Sequence, residues 1–168
     1  FTPLTIKNNI QKDLEDGQKT VLIIMDCLRG DQWKSMSQSL FSDFKIKTNY
    51  QASILPSTTF YSRNSIFSGL FPLELYNQNR KIYSKMLESE SNYNKFEHEL
   101  LKQQLDNIGL GKKSNNYIKV SSYEYGKTLT KNINNFKNID LLCIVVNFID
   151  ILAHSRSESG VLKEVLTD

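Results

Sequence analysis

The sequence predicts an α/β fold, a mostly parallel sheet flanked by helices. Two short, unbroken apolar runs, Val21–Met25 and Leu141–Val146, read as buried strands, and helix-spaced stretches alternate with strand-like ones along the chain. Sharp stops occur at Gly69 and Gly109. At 168 residues the chain is about one domain long, enough to bury a core without disulfides or a structural metal.

The elements follow in order. Thr20–Met25 is β-branched and aliphatic without polar alternation, as expected of a strand covered on both faces, and it ends at Asp26. Trp33, Met36, Leu40 and Phe44 recur at helical spacing, with Asp31 placed to cap the helix start. A weaker strand, Tyr50–Leu55, runs into Pro56. The residues after it predict a helix ending near Gly69, with Pro72 just beyond. Residues 80–107 carry Ile82, Met86, Phe96, Leu101 and Leu105 at helical spacing up to the stop at Gly109. Tyr117–Val120 predicts a short strand, Leu129, Ile133 and Phe136 a helix, and Leu141–Ile149 the strongest buried strand, ending at Asp150.

Composition excludes several classes. Hydrophobic residues are 39% and Gly plus Pro number only ten, outside the disordered and collagen-like ranges. The net charge of +3 comes from scattered basic residues and leaves no stripe for duplex nucleic acid, although a nucleotide substrate is compatible with it. The apolar runs are far shorter than the roughly 20 residues that span a bilayer, and the start lacks a signal-peptide pattern. No membrane insertion is therefore expected. Cys27 and Cys143 lie in or beside apolar runs and read as free, hydrophobe-like thiols. With sixteen Asn but no N-glycosylation acceptor, this fits a cytoplasmic protein. The first residue is Phe, so the chain is expected to be an excised piece.

Ligands of open α/β sheets bind beyond the carboxyl ends of the strands, which singles out three places. Asp26 is either a turn cap or a ligand. In the segment from Leu55 to Asn64, hydroxyls and Arg63 crowd a predicted helix N-terminus, where free N–H groups favour anions; simple N-capping by Ser57 or Thr58, with Arg63 solvated, explains the same residues. Asp150 and His154 stand one helical turn apart, a two-ligand pattern for a metal such as zinc that is common by chance. His98, between Glu97 and Glu99, reads as surface. Gly109–Ser114 lacks the glycine and hydroxyl positions of a phosphate loop and reads as an exposed turn, and Arg29-Gly30-Asp31 as coincidence.

Taken together and in this order, an Asp after the first strand, Thr59-x-x-Ser62-Arg63 after Pro56, and Asp150-x-x-x-His154 after a buried strand resemble the alkaline phosphatase superfamily. The closest likeness is to the PglZ domain, particularly the effector domain of certain bacterial two-component response regulators. Residues 21–33, 55–72 and 145–158 carry it, 45 of the 168. The resemblance implies a cytoplasmic phosphoesterase with two divalent metals, usually zinc. Asp26 and Thr59 would serve one metal, Asp150 and His154 the other. Thr59 would be the nucleophile, Arg63 would bind and neutralise the non-bridging phosphate oxygens, and a phospho-threonine would then be hydrolysed. Implied partners are a phosphomonoester or phosphodiester, such as a nucleotide or oligonucleotide, and a receiver domain or sensor kinase, with a homodimer compatible.

The superfamily completes its metal sites with an Asp-His pair and a further His later in the chain, and none occurs between His154 and Asp168. Residues 1–168 are therefore expected to be a partial catalytic domain. The alternatives are a signalling or binding module that has kept the fold and lost the chemistry, and a structural domain with accidental spacing.

Overall fold

The computed structural model describes residues 1–88 and 94–154, with the side chains of 152–154 outside the description. Two compact units are built from interleaved parts of the chain: 1–20, 50–116 and 139–141 form the first, and 21–49, 117–138 and 142 onward the second.

The first unit is helical. Ile6, Ile10 and Leu14, spaced by four, bury one side of α1 (Thr5–Asn9) and α2 (Gln11–Glu15), which follow a short 3-10 turn at Thr2–Leu4. Next come α4 (Thr59–Ser68), α5 (Pro72–Gln78), α6 (Arg80–Leu87) and α7 (Glu97–Asn107), after α3 (Gly30–Ser37) of the other unit. Phe67, Leu75, Met86, Leu100, Leu101 and Leu105 fill the core of the first unit. The expected single stretch over 80–107 is thus two helices, with 89–93 outside the described residues.

α4 ends as its sequence predicts. Gly69 takes φ +71° and its N–H donates to Ser65 O at 3.0 Å. The buried Gln104 amide of α7 donates to the carbonyls of Ile66 and Phe67, both at 3.1 Å, satisfying acceptors that the helix end leaves open. A Cβ on Gly69 would lie 2.6 Å from that amide. Gly69→Ala is therefore expected to destabilise the protein by about 1–3 kcal/mol, from the left-handed backbone and the displaced amide together, as read by urea unfolding. Pro72 opens α5 at its first position, and Glu74 accepts from Phe71 N at 2.8 Å.

The second unit carries the sheet. Strands β1 (Thr20–Met25), β2 (Asn115–Val120) and β3 (Leu141–Val146) pair in parallel in the order β1-β3-β2, apart from first residues that fall in the other unit. Ile118, Val120, Leu142 and Ile144 form an apolar cluster joined by Leu129, Phe136 and Val146. α8 (Tyr123–Asn132), capped by Ser122 Oγ accepting from Tyr125 N at 3.2 Å, continues as a 3-10 turn over Ile133–Phe136. α9 (Phe148–His154) follows β3.

Several expectations are corrected. Tyr50–Leu55 is not a strand: Tyr50 and Leu55 are exposed, while Ile54 is buried and its N–H goes to the Thr2 hydroxyl at 3.2 Å instead of a neighbouring strand. β1 is not covered on both faces. It lies at the sheet edge, and Val21 and Ile23 are each 56% exposed, so burial alternates along it. The helix after Asp26 stops at Ser37 and a 3-10 turn ends at Leu40, leaving Met36 and Phe44 exposed. Hydroxyls of Ser37 and Ser39 take the carbonyls of Lys34 and Met36 there, competing with continued helix. Asp31 does not cap α3. Arg29 is the N-cap, with its N–H on Gln32 Oε1 at 2.9 Å, and the Asp31 carboxylate is paired with the Arg29 guanidinium. β3 ends at Val146, three residues before the expected Ile149, because Asn147 N still donates to Val120 O while Asn147 O accepts from Ile151 N and starts a helix. Asp150 therefore sits in the first turn of α9 rather than at a strand end.

Candidate functional site

In the second unit the end of β1 and the first turn of α9 bring Asp26, Cys27 and Asp150 together. The Asp26 N–H extends the ladder one residue past β1 by donating to Val146 O at 2.9 Å, which fixes the carboxylate at the carboxyl end of the sheet. Cys27 follows with φ +59°, uncommon for a residue bearing a side chain. One ligand atom from each of the three residues lies within 4.8 Å of the others. Cys27 Sγ donates to Asp150 Oδ1 at 2.8 Å. That hydrogen bond to a carboxylate, partial burial, and the negative charges of Asp150 and Asp26 push the Cys27 thiol up to about 11. Two half-buried carboxylates and a thiol converging in this way form a donor set that fits a divalent transition metal.

The structure brings Asp26 and Asp150 together, although the resemblance gives them to two different metals. Metals of paired sites stand only about 3.5–4 Å apart, so both assignments are compatible with one cluster. His154 is the last described residue of α9, one turn after Asp150, and its side chain lies outside the described ones. Cys27 is exposed and polar in its contacts, unlike the apolar thiol expected from sequence. Cys143 meets that expectation, with no exposed surface and burial pushing its thiol up to about 12.

Thr59 and Arg63 belong to the first unit. Thr59 opens α4, half-buried, and its carbonyl accepts from Asn94 Nδ2 at 3.3 Å. The alternative of hydroxyl capping is not what forms: Thr58 is the N-cap, but its side chain makes no capping hydrogen bond. Arg63 is neither solvated nor open. Its Nε and Nη2 donate to Glu97 Oε1 and Oε2 at 2.8 and 2.6 Å, and the two side chains are 5% and 0% exposed. Sequence reasoning placed Glu97 in a surface stretch, and nothing in its charged neighbours marks it as buried.

His98 is half-buried rather than superficial, with Nε2 3.3 Å from Asn115 Oδ1. Burial, with the Lys102 charge, lowers its pKa. As pH falls, the unfolded chain takes the proton first, so the stability His98 contributes is full above about 6.5, the ordinary histidine value, and is lost as pH falls through the lower folded value. Urea midpoints should accordingly drop between pH 7.5 and pH 5, and His98→Gln should flatten that part of the profile. Gly109, with φ +78°, and the residues after it form the turn that closes α7.

In open α/β sheets ligands bind beyond the carboxyl ends of the strands, and the paired carboxylates stand on that side of this sheet. Residues 5–168 match the model of the BREX system PglZ alkaline phosphatase-like domain, and the chain belongs to the PglZ family. Its fold is accordingly alkaline-phosphatase-like. No curated protein sequence matches it. Among the described residues no helix is long and apolar enough to cross a membrane.

Proposed function

We propose that the protein is a metal-dependent phosphoesterase acting on a phosphomonoester or phosphodiester, with nucleotides among the candidate substrates. The observation that supports this best is the meeting of Asp26 and Asp150 at the carboxyl end of the sheet in a chain of an alkaline-phosphatase-like family. Asp26, Asp150 and His154 would hold divalent metal, zinc by the preference of such donors. Bound there, the metals would supply charge neutralisation and a lowered barrier to forming the attacking oxygen.

Thr59 is assigned as nucleophile. Its Oγ forms a bond to phosphorus while the bond to the leaving ester oxygen breaks, and water then hydrolyses the phospho-threonine. Arg63 enters the reading differently than a free phosphate clamp would: held by two hydrogen bonds to Glu97, it fixes the first turns of α4, on which Thr59 stands. The setting is proposed as a BREX system, following the family's description. Attachment to a receiver domain rests on resemblance alone.

One observation favours a second reading, a binding module without catalysis. The only arginine of the Thr59 segment is already occupied by a carboxylate. Hydrolysis of a chromogenic phosphodiester with added zinc or manganese separates the two. The phosphoesterase reading expects metal-dependent turnover that falls by roughly 10³-fold or more in Thr59→Ala. Bound metal without turnover on mono- or diesters would favour the binding module.

A further inference from the structure

We propose that Cys27 binds the metal of the Asp26/Asp150 centre through its sulfur, making this a mixed sulfur and oxygen site that takes zinc or cobalt in preference to magnesium or calcium. The inference rests on the reading of that cluster as a metal centre and adds a ligand to it.

Successive side chains of an extended strand point to opposite faces, so β1 geometry alone would separate residues 26 and 27. The left-handed turn at Cys27 accompanies their convergence, and Sγ lies with an oxygen of each carboxylate inside the 4.8 Å cluster. A tetrahedral zinc with sulfur at about 2.3 Å and oxygen at about 2.0 Å holds those two atoms about 3.5 Å apart. Sγ and Asp150 Oδ1 are 2.8 Å apart, so an entering ion replaces their hydrogen bond after a separation of under about 1 Å, within reach of side-chain rotation. On entry the S–H bond breaks, the sulfur–metal bond forms and the proton leaves to solvent. Cys27 is exposed, so ions reach it directly, while Cys143 is buried in β3. Thiolate is a soft ligand, which magnesium and calcium disfavour.

Loading the protein with Co2+ tests this by absorption. The expected spectrum has weak visible d–d bands and an intense near-ultraviolet sulfur-to-cobalt charge-transfer band. Cys27→Ser should lose the latter and keep the former, and Cys143→Ala should keep both. Zinc should also slow iodoacetamide alkylation of Cys27 by about tenfold or more, since bound thiolate is withdrawn from reaction. Visible bands without charge transfer in the wild type would overturn the sulfur ligand and leave a carboxylate centre standing. Charge transfer that persists in Cys27→Ser would overturn it too. Failure to bind cobalt at all would overturn both the ligand and the centre.

Discussion

Glu97→Ala should lower stability by about 3–5 kcal/mol, because it removes the carboxylate that holds the buried Arg63 guanidinium through two hydrogen bonds. For a chain of this size that corresponds to a fall in melting temperature of roughly 6–20 °C. Arg63→Ala should cost a similar amount, since Glu97 has no exposed surface on which to recover solvation. The pair is not thereby a net source of stability. Desolvating two charges is itself expensive, and a well-packed apolar replacement of both is often neutral or stabilising by about 1–4 kcal/mol. The double variant Arg63→Met with Glu97→Leu should therefore be more stable than either single alanine variant. A drop below about 1 kcal/mol in Glu97→Ala would mean that water reaches the pair.

Asp150→Ala should weaken divalent-metal binding by roughly 100-fold or more, beyond the 10–100-fold typical of losing a residue that merely orients a ligand. Asp26→Ala should do the same, and any metal-dependent phosphoester hydrolysis should fall with it. Competition with a chromophoric chelator measures the affinity directly. Asp31→Ala is the informative control. Its carboxylate lies on the same stretch of chain but is exposed and engaged by Arg29, so metal affinity should not change. If the three variants bind metal alike, the cluster at the strand ends is not a metal centre.

Uninterrupted apolar runs, Val21–Met25 and Leu141–Val146, locate β1 and β3, although β1 is half-exposed at the sheet edge and β3 stops three residues before the expected Ile149. Gly69 and Gly109 marked helix ends correctly for a local reason, the left-handed conformation that glycine tolerates. Tyr50–Leu55 has strand-like composition but no neighbouring strand to pair with among the described residues, and local propensity cannot report a missing neighbour. Composition and the apolar runs predict no element over residues 2–15, although Ile6, Ile10 and Leu14 display the four-residue spacing of α1 and α2 openly. Asp26 and Asp150 were legible as residues beyond apolar runs. Their convergence was not, since it depends on which strands are neighbours. Cys27 reads from sequence as an apolar thiol because it adjoins an apolar run, yet it follows a strand-ending carboxylate and is exposed beside Asp150. Glu97 gave none, because its partner lies 34 residues away.

The strand order also bears on how the chain is made. β3, the last of the three to leave the ribosome, is the central strand, and β1 and β2 pair with it rather than with each other. From the end of β1 at residue 25 to the end of β3 at residue 146 is 146 − 25 = 121 residues. At 5–20 residues per second, translation of that interval takes roughly 6–24 s. For that time no strand that pairs with Val21–Met25 among the described residues is available, so nascent chains truncated before residue 141 should be the ones that engage chaperones or aggregate.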